Sequence, residues 1–277
     1  MNKKKKIQIL VGDIVGCALA IIIFIFPFYF MFINSLKDRR EANKLSIAFP
    51  TSIHWENYLD VLKNNNYQVL IAFKNSFLIM LFAVAVLIIV CSMAGYVVQR
   101  RNDKVVNIIS TLVMLGLMLP PAILPTIKLL QQLHIYKTMF GIVMIEIALQ
   151  TPFTLMLYRG FVASVPKELE EAGYIDGCTN FQVFFKIVFP LLKPVSATVI
   201  ILDAVTIFND FQNPLYFFNG SKNATVQLTL YNFMGQFASE YNLLFADVII
   251  ITIPMLIIFL IFNRKIVDGM VAGAVKG

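Results

Sequence analysis

The sequence predicts an all-α integral membrane protein with six transmembrane helices, and three observations carry that reading. Of the 277 residues, 58% are hydrophobic and only 14% charged, with mean hydropathy +0.76. That composition belongs to multi-span membrane proteins rather than soluble domains. Apolar runs of about 20 residues, the length a bilayer-crossing helix needs, recur from one end of the chain to the other. Basic residues gather at the ends of these runs, so the net charge of +7 reads as membrane topology and not as a nucleic-acid footprint.

The first span covers residues 9–33, after Lys3, Lys4, Lys5 and Lys6. Only Asp13 interrupts it, near enough to the inner end to snorkel. A signal peptide would share the basic start, but this run is too long, lacks a small-residue cleavage site and continues through Pro27 into aromatic residues. An outer loop over 34–74 follows, with the only tryptophan, Trp55, and charges of both signs. The second span is 75–98, closed by the basic turn Gln99-Arg100-Arg101-Asn102-Asp103-Lys104. The third is 105–127, with Pro120-Pro121 near its far end. The fourth is 139–161, the fifth 195–211 and the sixth 243–262. Six spans place both termini on one side, and the Arg100-Arg101 turn with the paired Arg264-Lys265 makes that side cytoplasmic. The loop 34–74, with Lys37, Arg39, Arg40, Lys44, Lys63 and Lys74, is more basic than the positive-inside rule would choose.

Between the fourth and fifth spans lies a polar island, 164–190, which reads as a cytoplasmic helix-turn-helix. Pro166 suits a first helical turn, and Glu168, Glu170 and Glu171 follow where the helix dipole favours negative charge. Leu169, Ala172, Gly173 and Asp176 recur at helical spacing and are expected on one face. Small Ala172 and Gly173 would let another protein's backbone approach there. Gly177 can supply the left-handed residue that closes the helix. Thr179-x-x-Gln182 reads as a capping box opening a second short helix, which Pro190 stops.

These residues carry a family resemblance. Glu171-Ala172-Gly173, three residues, Gly177, nine residues, then Ile187-Val188-Phe189-Pro190 resembles the EAA loop of permease subunits of ATP-binding cassette (ABC) importers. Gly173 stands for the family's second alanine and Phe189 for its leucine, each keeping the local character. Phe208-Asn209-Asp210-Phe211 with Pro214-Leu215 resembles the W-N-D-F…P-L stretch of sugar-importer permeases, with Phe208 for tryptophan. The tail Ala272-Gly273-Ala274-Val275-Lys276-Gly277 is similar to that of the smaller maltose-type permeases, where it enters the interface between two ATPase subunits. Pro27 and Ser35-Leu36-Lys37 also fit, so the resemblance covers nearly the whole chain.

The resemblance implies one permease domain over 1–277 with the type I ABC importer fold, in a bacterial cytoplasmic membrane. It implies a second homologous permease subunit, two ATP-binding cassette subunits and an extracytoplasmic sugar-binding protein as partners, besides membrane lipid. Glu171, Ala172, Gly173, Asp176, Gly177, Ile187 and Pro190 become the residues that couple to the ATPase. Sugar as cargo is inherited from the resemblance. Glycerol phosphate or another small polar solute is the alternative cargo, and a self-contained proton-coupled transporter using Glu146 or Asp203 the alternative class.

Polar groups inside the spans are the other candidates, because a carboxylate at mid-bilayer costs about 2.5–3.5 kcal/mol on insertion scales. Glu146 and Gln150 lie one turn apart in the fourth span. Asn209 and Asp210 lie at the outer end of the fifth, and all four are candidates for the translocation path. Polar glue between helices is the plainer role, and it suits Asp203. Catalytic and cofactor chemistry is not expected: the chain has no G-x-x-x-x-G-K-[ST], H-E-x-x-H or G-x-S-x-G pattern. Cys17, Cys91 and Cys178 lack metal or redox spacing, and His54 and His134 lie far apart. ATP hydrolysis therefore belongs to a separate subunit.

Overall fold

The computed structural model describes the backbone of residues 3–235 and 239–274. It describes the side chains of residues 12–257, apart from Ala18, Ser221 and 236–238, together with Leu260. The side chains of Lys3–Lys6 and of the tail from residue 261, with the Ala272–Gly277 ending, lie outside these described residues. In chain order the helices are α1 (Lys3–Ser35), α2 (Arg39–Ala42), α3 (Glu56–Arg100), α4 (Lys104–Leu115), α5 (Ile123–Gln132), α6 (Met139–Val162), α7 (Glu168–Ile175) and α8 (Asn180–Gln182). A π-helical turn (Val183–Val188) follows, then α9 (Phe189–Leu191), α10 (Lys193–Phe208), α11 (Gln212–Phe217), α12 (Val226–Thr229) and α13 (Tyr241–Ala274).

Among the described residues, α1 from Gly12, α3 and α6 are each long and apolar enough to cross a membrane. Asn180–Leu191 and Lys193–Phe208 meet that test as a pair bent by 72°, while α4 and Tyr241–Ile257 are apolar but shorter. The expected third span, 105–127, is therefore not one helix. Its chain leaves the helix after Leu115 because Pro120 and Pro121 have no N–H to donate and bias the residues before them away from helical angles. The fifth ends at Phe208, short of 211, where Asn209 caps it.

The chain forms two compact units, and the first comprises residues 1–69 and 229–253. Described α1 side chains from residue 12 to Phe28 are exposed within this chain, Phe24 by 70%. A helix apolar on every side has lipid or another subunit as its environment. At its end the pattern inverts, and Ile33 to Lys37 are all buried. Lys37 Nζ donates to Asn34 Oδ1 (3.0 Å), Ser46 O (2.7 Å) and Ser46 Oγ (3.1 Å). Asn57 Nδ2 donates to the carbonyls of Ser35 and Lys37, and Asn242 Nδ2 donates to Asn57 Oδ1 (2.9 Å). This polar knot ties the start of α13 to the end of α1, beside Phe30 edge-on to Phe245.

Within the expected outer loop 34–74 the chain is helical over Arg39–Ala42 and again from Glu56 onward. The helix breaks where Asn65, Asn66 and Tyr67 take positive φ. Asparagine tolerates that region because its short side chain can bond locally.

The second unit comprises 70–228 and 254–277. Here α6 is the central post. Thr138 caps it by accepting from Gly141 N, Thr154 Oγ1 donates to Asp203 Oδ2 of α10 (2.9 Å), and Tyr158 pairs with Ser196. Asp203, 1% exposed, is thus held by a hydroxyl in a helix-to-helix contact.

Candidate functional site: the EAA-like loop and a buried carboxylate

The loop is built by local chemistry. Gly177 has φ +81°, Cys178 N donates to Gly173 O, and Gly177 N donates to Tyr174 O. This is the Schellman closure that a glycine after the helix end permits. Thr179 and Gln182 exchange the two bonds of a capping box, as their spacing predicts. The second helix does not stop at Pro190. It continues through α9 to Leu192, where the chain bends into α10. Pro190 cannot donate to the carbonyl four residues back, and the preceding π turn widens the helix there. Pro194 then opens α10 in its first turn.

Glu168, Leu169, Glu171, Ala172, Ile175, Asp176 and Gly177 are exposed, Ile175 by 86%. Gly173 is not on this face, which corrects the expectation that it opens a path for another protein's backbone. Gly173 is buried, and a β-carbon there would lie 2.4 Å from Ile187 Cδ1 and 3.4 Å from Val183 Cγ2. Its small size seats α7 on the π turn of its own loop. Ile187, half-buried, is the other half of that contact, while Pro190 is exposed.

Glu170 is the residue whose part sequence reasoning missed. Its side chain is 8% exposed and faces the end of α3. Arg100 Nε and Nη2 approach Oε1 at 2.8 and 2.7 Å, and Tyr96 Oη donates to Oε2 at 2.8 Å. Arg100 Nη2 also donates to Val165 O (2.7 Å). Tyr96 and Arg100 stand one turn apart on α3, a spacing visible in the sequence. A cavity of about 150 Å³ opens beside them, lined by Met93, Tyr96, Val97, Asn180, Phe181 and Phe184.

The candidate path residues separate. Glu146 is 1% exposed, and its Oε1 accepts from Asn213 Nδ2 (3.4 Å), which also donates to Asp210 Oδ2. Glu146 Oε2 is buried without a hydrogen-bond partner among the described residues. Asp210 Oδ1 accepts from the backbone N–H groups of Gln212 and Asn213, opening α11. Asn209 turns to Gln227, accepting from its Nε2 (3.1 Å), and Gln150 is half-buried one turn along α6. The structure thus brings Glu146 and Asp210 together through Asn213 and joins Asn209 to a different partner.

Long apolar helices and a bent helix pair mark a membrane-embedded chain, and its 164–190 loop exposes acids and apolar side chains. The chain belongs to the family of binding-protein-dependent transport system inner membrane components, whose model matches residues 88–271. It is a multi-pass permease subunit of a bacterial ABC importer, with ATP hydrolysis on a separate subunit. It is 33% identical to the melibiose/raffinose/stachyose import permease MelC of Bacillus subtilis, covering 100% of this chain and 98% of that one. It is 33% identical to the multiple sugar-binding transport system permease MsmG of Streptococcus mutans, covering 92% and 93%. Among solved structures, a bacterial ABC transporter involved in alginate import matches with TM-score 0.82 at 17% identity, over 95% of this chain and 98% of that one. A complex of an alginate transporter with its pentasaccharide-bound periplasmic protein matches with TM-score 0.71 at 14% identity, over 94% of each. These last two show the fold.

Proposed function

We propose that this permease carries an oligosaccharide inward and is driven through the 164–190 loop, which docks on an ATP-binding cassette subunit. The observation that carries the reading is the exposed face of α7, where Glu171, Ala172, Ile175 and Asp176 project from a helix whose other side is anchored. The relatives named above, which import melibiose, raffinose, stachyose and other sugars, support the cargo class. The loop and both termini face the cytoplasm. A second permease and a second cassette subunit complete the complex, and an extracytoplasmic binding protein delivers the sugar. Glu146, Gln150, Asn209 and Asp210 lie along the path or its outer gate, with Glu146 closed off in this conformation.

The test is purification of the tagged complex and sugar uptake in proteoliposomes. Glu171→Lys reverses a charge on the docking face. Gly177→Pro imposes a negative φ where the chain needs +81°. Both variants should insert in the membrane yet lose the co-purifying ATPase and the uptake. Full uptake with both would defeat the docking role.

A further inference from the structure

Helix α7 has two faces, and only one of them is exposed. Glu170 and Glu171 are neighbours in sequence, but about 100° of helical rotation separates their directions. Glu171 is exposed, whereas Glu170 is turned to the end of α3.

There it meets a prepared receptor. Arg100 grips Oε1 with two nitrogens at 2.7 and 2.8 Å, and Tyr96 Oη holds Oε2 at 2.8 Å. Both carboxylate oxygens are therefore fixed, by charge-assisted bonds stronger than neutral ones. The Arg100 and Glu170 side chains are 12% and 8% exposed, so water competes little with them. Arg100 Nη2 also donates to Val165 O, just past the end of α6. A single guanidinium thus joins three segments: the end of α3, the end of α6 and the first turn of α7. The Tyr96 ring lies 5.5 Å from that of Phe184 in the π turn, so the clamp reaches the second helix of the loop too.

We propose that Glu170, Arg100 and Tyr96 are positioning residues for transport, forming the rigid strut through which displacement of the loop becomes displacement of α3 and α6. The proposal rests on the docking of the loop on an ATPase, and it concerns the step after docking. A loop held only by its two chain ends would swivel when pushed. With the clamp closed, a push on Glu171 and Ile175 is delivered to two spans at once.

The experiment compares Glu170→Gln, Arg100→Ala and Tyr96→Phe in the complete importer, reconstituted with its binding protein and sugar. The readout is sugar transported per ATP hydrolysed, together with the amount of assembled complex. A purely structural role lowers the amount of complex and leaves that ratio unchanged. The strut predicts that the ratio falls about tenfold in Glu170→Gln and Arg100→Ala, the factor for one lost charged hydrogen bond, and less in Tyr96→Phe. The exchanged pair Arg100→Glu with Glu170→Arg should recover part of the loss. If a variant assembles poorly, the ratio in the complex that remains decides. A parental ratio in Glu170→Gln and Arg100→Ala overturns the strut. Glu171→Lys separates the two layers: if it loses the ATPase while Glu170→Gln keeps the parental ratio, docking stands and the strut falls. If Glu171→Lys keeps the ATPase and full uptake, docking falls and the strut falls with it.

Discussion

Gly95 of α3 lies against Tyr158 of α6 so closely that a β-carbon on Gly95 would sit 2.8 Å from Tyr158 Cβ and 3.0 Å from Arg159 N. Two spans touch here without a side chain between them, the use membrane helices make of small residues. Neither opposing atom is the end of a flexible chain, so nothing local can move aside. Gly95→Val should destabilise the purified subunit by about 1–3 kcal/mol, the usual cost of overpacking. A thermal unfolding curve of the detergent-solubilised complex reads this directly, and an unchanged midpoint would contradict the contact.

Gly173 offers the contrasting case. The atom a new β-carbon would meet is Ile187 Cδ1, the far end of a side chain with freedom to rotate. Gly173→Ala should therefore assemble and transport close to the parent, and the family's alanine at this position fits the same geometry. Gly173→Val should fail, and Gly173→Val combined with Ile187→Ala should recover ATPase co-purification. Failure of Gly173→Ala alone would show that the seat is rigid.

Lys37 makes the first unit sensitive to pH. Burial pushes its ammonium below the ordinary lysine value, while the Glu41 carboxylate pulls the other way. A folded-state value below the unfolded one means that folding disfavours the charge. The resulting penalty is complete below the folded value, shrinks as pH rises through it, and is gone above the ordinary value. Trp55, packed between Phe32 and Tyr58, reports on this unit. Unfolding followed by Trp55 fluorescence should show stability rising with alkaline pH, and Lys37→Met should abolish that rise. At neutral pH Lys37→Met should cost about 1–3 kcal/mol, because it takes the donor away from Asn34 Oδ1 and Ser46 Oγ.

Glu146 can be tested by exchanging its carboxyl group for an amide of the same shape. Glu146→Gln keeps an acceptor for Asn213 and replaces a buried oxygen without a partner by an amide that can donate toward Asp210. It should melt no lower than the parent. Glu146→Ala should melt lower, since it removes the acceptor and leaves a void. Equal losses in the two variants would place the carboxyl group itself in a structural role.

What the sequence made legible was local. The capping box of Thr179 and Gln182 and the turn at Gly177 each depend on residues a few positions apart, so spacing alone revealed them. Glu170 shows the limit: its place in the first turn was plain, but Arg100 and Tyr96 come to it from some 70 positions away. Gly173 was placed on the wrong face because helical spacing groups it with Leu169 and Asp176 without saying which side meets the protein's own π turn. The third span read as continuous because apolar content is the same in a helix and in a break, although Pro120 and Pro121 stood in view. The helix from Glu56 was hidden by its polar surface, and the run Asn64-Asn65-Asn66 marked its break.

If the joint at Leu192 is rigid, the second loop helix and α10 are the two arms of a bell crank. At 1.5 Å per residue the arms are about 18 and 24 Å long, so a rigid joint would enlarge a stroke at the Asn180 end by about a third at Phe208. The 72° bend would turn that stroke as it passed. Pro190 and Pro194 remove a backbone donor on each side of the pivot, so its angle rests on the bonds from Leu192 N to Val188 O and Phe189 O and on the packing of Val188 and Leu192, both fully buried. Trimming either side chain would leave a cavity at the joint, so the gearing of the machine and the strength of its parts would change together.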